Sequence, residues 1–124
     1  MAYSVQNPSE IHSLKGTNEA VLSQVELGEV EEIWYKSVDG LDIQGWINKP
    51  PGFDSSKKYP LILRIHGGPH SMYNSGFDFK NQDHAANDYV VLYTNPRGSS
   101  GYGSEFGNAI NYAYPSMDYD DLMV

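Results

Sequence analysis

Two runs near the middle of the chain carry strand-like patterns. Residues 32–37 (Glu-Ile-Trp-Tyr-Lys-Ser) and 41–48 (Leu-Asp-Ile-Gln-Gly-Trp-Ile-Asn) are rich in β-branched and aromatic side chains, and the second alternates apolar and polar positions. Val38-Asp39-Gly40 lies between them. An Asp-Gly pair between two such runs predicts a β-hairpin, because both residues tolerate positive φ. Pro50-Pro51-Gly52 then ends the second strand, since proline cannot donate to a ladder. Residues 60–65 form a near-continuous apolar run broken by Arg64, the pattern of a strand covered on both faces. Residues 76–87 can form a helix carrying Phe77, Phe79, Ala85 and Ala86, and residues 89–94 read as a second buried strand. Strand, helix and strand in that order predict a βαβ unit with parallel strands and a right-handed crossover. The fold class is therefore α/β, an N-terminal hairpin leading into a partly parallel mixed sheet.

The flanks are less periodic. Residues 1–17 are polar, contain Pro8 and Gly16, and read as an irregular or extended lead-in. Over residues 18–32, Ala20, Val21, Leu22, Val25, Leu27 and Val30 are interleaved with five glutamates in a pattern matching neither template, so extended connections are expected. Residues 95–103 (Asn-Pro-Arg-Gly-Ser-Ser-Gly-Tyr-Gly) are a glycine-rich loop at a strand end, where open α/β sheets place ligands. Residues 104–114 read as a helix with Ser104 as N-cap, broken by Pro115. A last acid-led helix begins near Asp118; Asp118, Asp120 and Asp121 suit an N-terminal dipole and read as a solvated helix start. It stops within about two turns, as if the sequence were cut in mid-element.

Composition narrows the function classes. A chain of 124 residues, 40% hydrophobic and 13% aromatic, has the makeup of one globular domain. A formal charge of −8, with basic residues scattered apart from Lys57-Lys58, excludes a nucleic-acid surface. Without cysteine there is no disulfide, thiolate metal site or cysteine nucleophile. His12, His66, His70 and His84 lack the spacing of a zinc helix, so neither metal nor cofactor is expected. There is no run of about 18 apolar residues and no secretory signal. No membrane partner is expected, and the compartment stays open, leaning toward the cytoplasm.

The densest chemistry lies at residues 61–70, an apolar strand running into Gly67-Gly68. Lacking Cβ atoms, these glycines leave their backbone N–H groups open to a developing oxyanion; the plainer alternative is a tight turn leaving a strand. His66 reads as a structural hydrogen-bonding residue rather than a proton shuttle, since no serine partner is evident. Gly101-x-Gly103 departs from the dinucleotide fingerprint, with Phe106 where the third glycine belongs. Gly98-Ser-Ser-Gly-Tyr102 misses the nucleophile elbow at its closing position, so Ser99 and Ser100 read as loop formers, and no G-x-S-x-G occurs anywhere. Arg97 either pairs with a carboxylate to fix its loop or faces substrate.

Taken together, His66-Gly-Gly-Pro-His70, the 95–103 loop and Asp118-Tyr-Asp-Asp-Leu-Met123 resemble the prolyl oligopeptidase family of serine peptidases, in its acylaminoacyl-peptidase and dipeptidyl-peptidase-like branch. The residues of the hairpin and of 49–54 match the opening of that family's catalytic domain, so the resemblance covers residues 18–124. It implies an incomplete α/β-hydrolase fold, with residues 1–28 a connection from a β-propeller and 29–124 the first part of the peptidase domain. Gly68 would donate an oxyanion-hole N–H, with Gly67 and His66 beside it, Arg97 as a candidate substrate contact, and a peptide as substrate. The family's Ser, Asp and His follow later in the chain, so residues 1–124 alone are expected to be inactive. The alternatives are a non-catalytic α/β protein acting through partner binding or self-association at an open sheet edge, and a small ligand-binding module using the 95–103 loop.

Overall fold

The structure is a computed structural model that describes residues 2–3, 7, 11–12, 16, 18–68 and 70–124. Most of the lead-in predicted over residues 1–17 lies outside the described residues; within it, β1 (Ala2–Tyr3) pairs antiparallel with β2 (Ile11–His12). Within residues 18–32, it is residues 19–22 that depart from the extended connections expected there. A single turn, α1 (Glu19–Leu22), forms there with no buried residue, closed by the Ser23 N–H on Glu19 O. Its glutamate, alanine and leucine favour helix locally, and no packing contributes.

The hairpin forms as the pattern predicts. β3 (Val30–Lys36) and β4 (Asp42–Asn48) pair from Val30↔Asn48 to Lys36↔Asp42. Their loop closes through Ser37 N–H on Leu41 O at 2.8 Å, with Gly40 at φ +85°. Of the Asp-Gly pair, only Gly40 needs the left-handed region; Asp39 instead accepts the Leu41 N–H at 3.3 Å.

The βαβ unit follows. β5 (Leu61–Arg64) and β6 (Val90–Asn95) are parallel, connected through α2 (Phe79–Ala86). β6 also pairs antiparallel with β4, from Gln44↔Asn95 to Asn48↔Val91, which sets the mixed order β3-β4-β6-β5. α2 starts later than the predicted Gly76 because Asp78 caps it, accepting the Asn81 N–H at 3.0 Å. Ala85 is buried, whereas Phe77 and Phe79 face outward. Gln82 grips both backbone groups of Gly28, at 2.7 and 3.1 Å, and ties the approach to β3 onto α2.

Ile43, Trp46, Val91 and Tyr93 fill the core. Trp46 and Tyr93 are register partners with stacked rings 5.7 Å apart, a pairing worth about 0.5–1.5 kcal/mol beyond its burial. Tyr73 meets Tyr93 edge-on at 5.3 Å, and His66 meets Tyr73 at 5.1 Å. This aromatic column runs from the sheet to the glycine pair after β5.

The helix predicted over 104–114 is much shorter. α3 (Ser104–Asn108) starts from Gly103 at φ +90°, so Ser104 falls inside the helix and caps nothing. The chain then turns so that Ile110 buries against Gly98, where an added Cβ would lie 2.5 Å from Ile110 Cδ1. α4 (Met117–Met123) is present, but Asp118 and Asp121 are buried rather than solvated. Among the described residues, no helix is long and apolar enough to cross a membrane.

Candidate functional site

Leaving β5, the chain passes through Ile65 and His66 into Gly67 and Gly68, both exposed. Among the described residues, a Cβ on Gly67 would meet nothing within 4 Å, and one on Gly68 would meet only His70 N at 3.5 Å. Neither glycine adopts a left-handed φ. Packing and backbone conformation among the described residues therefore do not require glycine at either position. Among the described residues, neither N–H meets an acceptor. Two free donors on a bare stretch of backbone can take an anionic oxygen. Pro69 of the same motif lies outside the described residues.

The glycine-rich loop after β6 forms a bed for this segment. His70 N–H donates to Gly98 O and Ser100 N–H to Ser71 O, each at 2.9 Å. The fully buried Asn95 accepts the Tyr73 N–H at 2.7 Å and donates to Tyr73 O at 3.0 Å and to Tyr102 Oη at 2.7 Å. Tyr102 in turn donates a short hydrogen bond to Gln44 on β4. His66 has a serine partner, contrary to the expectation that it lacks one: Nε2 lies 3.0 Å from Ser99 Oγ. Ser99 is fully buried, and its hydroxyl donates to Pro96 O at 2.6 Å. Asn95 and Ser99 escape sequence reasoning, which sees only loop formers. A buried amide must satisfy each polar atom, but which backbone does so depends on tertiary placement.

Arg97 lies between two carboxylates. Its backbone N–H and Nε donate to Asp121 Oδ2 at 2.9 and 2.8 Å, and Nη2 donates to Oδ1 at 2.8 Å. Nη1 and Nη2 form a two-pronged contact with Asp39, each at 3.0 Å. Asp121 also accepts the Ser37 hydroxyl at 2.5 Å, and its carbonyl accepts the Tyr35 hydroxyl at 2.6 Å. The Arg97 side chain is 10% exposed and that of Asp121 is 0%. Hairpin turn, loop and α4 thus meet at one guanidinium, held more firmly protonated by Asp121 first and Asp39 second. Its remaining surface borders an open cleft with Leu41, Tyr102 and Phe106. Among the described residues, no group of three histidines or carboxylates is placed to hold a metal ion.

These contacts set an acid dependence. Asp39 is held below the usual carboxylate range chiefly by the Arg97 hydrogen bond. Burial pushes Asp78 up, but the Asn81 amide and Arg64 outweigh it, so its net direction is also down. A carboxyl with a lower pKa folded than unfolded binds fewer protons in the folded state. Its contribution is present above the unfolded value of about 3.9 and is lost as pH falls through the folded value. The thermal midpoint, followed by circular dichroism, is expected to drop below about pH 4, and less steeply in Asp39→Asn. A midpoint that does not move on acidification contradicts this.

Comparison with known proteins agrees with this fold. Residues 75–124 match the Prolyl oligopeptidase family. The uncharacterized peptidase YuxL of Bacillus subtilis is 43% identical over 98% of this chain and 18% of its own length. Dipeptidyl-peptidase 5 of Schizosaccharomyces pombe is 37% identical over 85% of this chain and 16% of its own. Among solved structures, Pyrococcus horikoshii acylaminoacyl peptidase superposes with a TM-score of 0.83 at 31% identity, over 93% of this chain and 18% of the enzyme. The sheet and its crossover are thus part of an α/β-hydrolase-like peptidase fold, and the chain spans less than a fifth of each of these three proteins. The chain belongs to the prolyl oligopeptidase family, as a partial counterpart of its acylaminoacyl- and dipeptidyl-peptidase members.

Proposed function

We propose that residues 29–124 are the opening part of a serine-peptidase domain, in which Gly68 N–H, with Gly67 and His66 beside it, holds the oxyanion formed when a serine attacks a peptide carbonyl. One observation carries this reading: among the described residues, the N–H groups of Gly67 and Gly68 meet no acceptor, and nothing obliges these exposed positions to be glycine. Residues 1–28 act as the lead-in to that domain. Arg97 holds the loop bed and borders whatever occupies the adjoining cleft. The nucleophile comes from elsewhere in the enzyme, because the His66–Ser99 pair is not a working dyad. Ser99 is inaccessible and its proton is committed to Pro96 O. The 124-residue chain alone is inactive in this reading. Residues 29–124, replacing the matching segment of the Pyrococcus horikoshii enzyme, are expected to support hydrolysis of an acylated peptide. A folded but inactive chimera contradicts the reading.

A specific observation favours a second reading for the isolated chain. Edge strand β5 and the approach to α2 expose Leu61, Ile65, Phe77 and Phe79. An apolar edge of this kind pairs with another chain, so the isolated chain self-associates. Light scattering after size exclusion is expected to show dimers or larger species that Leu61→Lys with Ile65→Lys reduces. A monodisperse monomer removes this reading.

A further inference from the structure

We infer that Ser99 is a positioning residue whose buried hydroxyl, acting through the His66 ring, sets the orientation of the peptide unit between Gly67 and Gly68. The Ser99 hydroxyl proton lies toward Pro96 O at 2.6 Å, so its oxygen faces the His66 ring as an acceptor. Nε2, 3.0 Å away, must therefore carry a proton. The other ring nitrogen, Nδ1, lies 2.9 Å from Gly67 O. That carbonyl belongs to the same planar peptide as the Gly68 N–H, and in a trans peptide the two point in opposite directions. Fixing the ring fixes the carbonyl, and fixing the carbonyl aims the N–H. Both contacts are hydrogen bonds when the ring is protonated at both nitrogens, Nε2 donating to Ser99 Oγ and Nδ1 to Gly67 O; a ring protonated at Nε2 alone turns a lone pair toward that carbonyl and releases it. Tyr73 packs edge-on against the ring at 5.1 Å and is itself held through both backbone groups by Asn95, which limits the ring's freedom to swing.

The inference is structural in itself; its catalytic meaning rests on the oxyanion reading, and the two are tested by separate readouts. In the whole 124-residue chain, imidazole ¹⁵N spectra are expected to show His66 protonated at Nε2. Ser99→Ala removes that bias and shifts the Gly67 and Gly68 amide signals, while those of Ile43 and Val91 in the core stay in place. Should Ser99→Ala unfold the chain, His66→Gln supplies the second arm, since the glutamine amide can donate to Ser99. Both His66→Gln, whose amide donates to Ser99 but turns its oxygen toward Gly67 O, and His66→Leu are expected to shift the Gly68 signal. A parent ring protonated at Nδ1 alone, or a Gly68 signal indifferent to both Ser99→Ala and His66→Leu, overturns the inference. In the chimeric peptidase, Ser99→Ala is expected to lower kcat by up to about 10²-fold with little change in KM, the effect of misaiming a donor rather than losing substrate contacts. Altered Gly68 signals together with an unchanged kcat leave the positioning role standing and count against the oxyanion reading instead.

Discussion

Asp121→Ala is expected to destabilise the chain by about 3–5 kcal/mol, because it strips the buried Arg97 of its main partner. Asp121 is fully buried and meets Arg97 through three hydrogen bonds, so its removal leaves a cation that water reaches poorly. The Ser37 hydroxyl and the Arg97 backbone N–H lose their acceptor as well. Domains of ordinary size have about 5–15 kcal/mol in total, so the variant sits near its unfolding transition. Urea denaturation followed by tryptophan fluorescence measures the loss. Asp39→Ala should cost less, since that carboxylate is 42% exposed and water replaces it. Arg97→Leu combined with Asp121→Leu should recover much of the loss by removing both charges together. If Asp121→Ala changes stability no more than Asp39→Ala does, the buried clamp is not what joins α4 to the sheet.

The second large effect is catalytic. In the chimeric peptidase, Gly68→Pro removes one N–H and is expected to lower kcat about 10²–10³-fold, the range seen on deleting a single oxyanion donor. KM should move little, because in the proposed role the donor meets an oxygen that gains its charge only as the tetrahedral species forms. Gly68→Ala is the control for backbone rigidity: it keeps the N–H, and its Cβ meets nothing closer than His70 N at 3.5 Å. A larger loss in the proline variant than in the alanine variant assigns the effect to the N–H itself.

How far the sequence alone reaches depends on whether the determining contacts are local. The hairpin and the βαβ unit are legible because apolar spacing, the Gly40 turn and the Pro50-Pro51 stop act within a few residues. The length of α3 is not, since it ends where Ile110 turns back onto Gly98, a contact absent from any helical period. Asp121 looks like a solvated helix start until Arg97, 24 residues earlier, is placed beside it. Ser99 looks like a loop former until β5 and β6 lie side by side and bring His66 over it.

The most direct measurement is a crystal structure of the chimeric peptidase carrying a phosphonate on its nucleophilic serine, a stable mimic of the tetrahedral intermediate. The account places the phosphonyl oxygen about 2.7–3.1 Å from Gly68 N, in line with its N–H. A phosphonyl oxygen turned away from residues 67 and 68, with its hydrogen bonds supplied entirely by other segments, contradicts it.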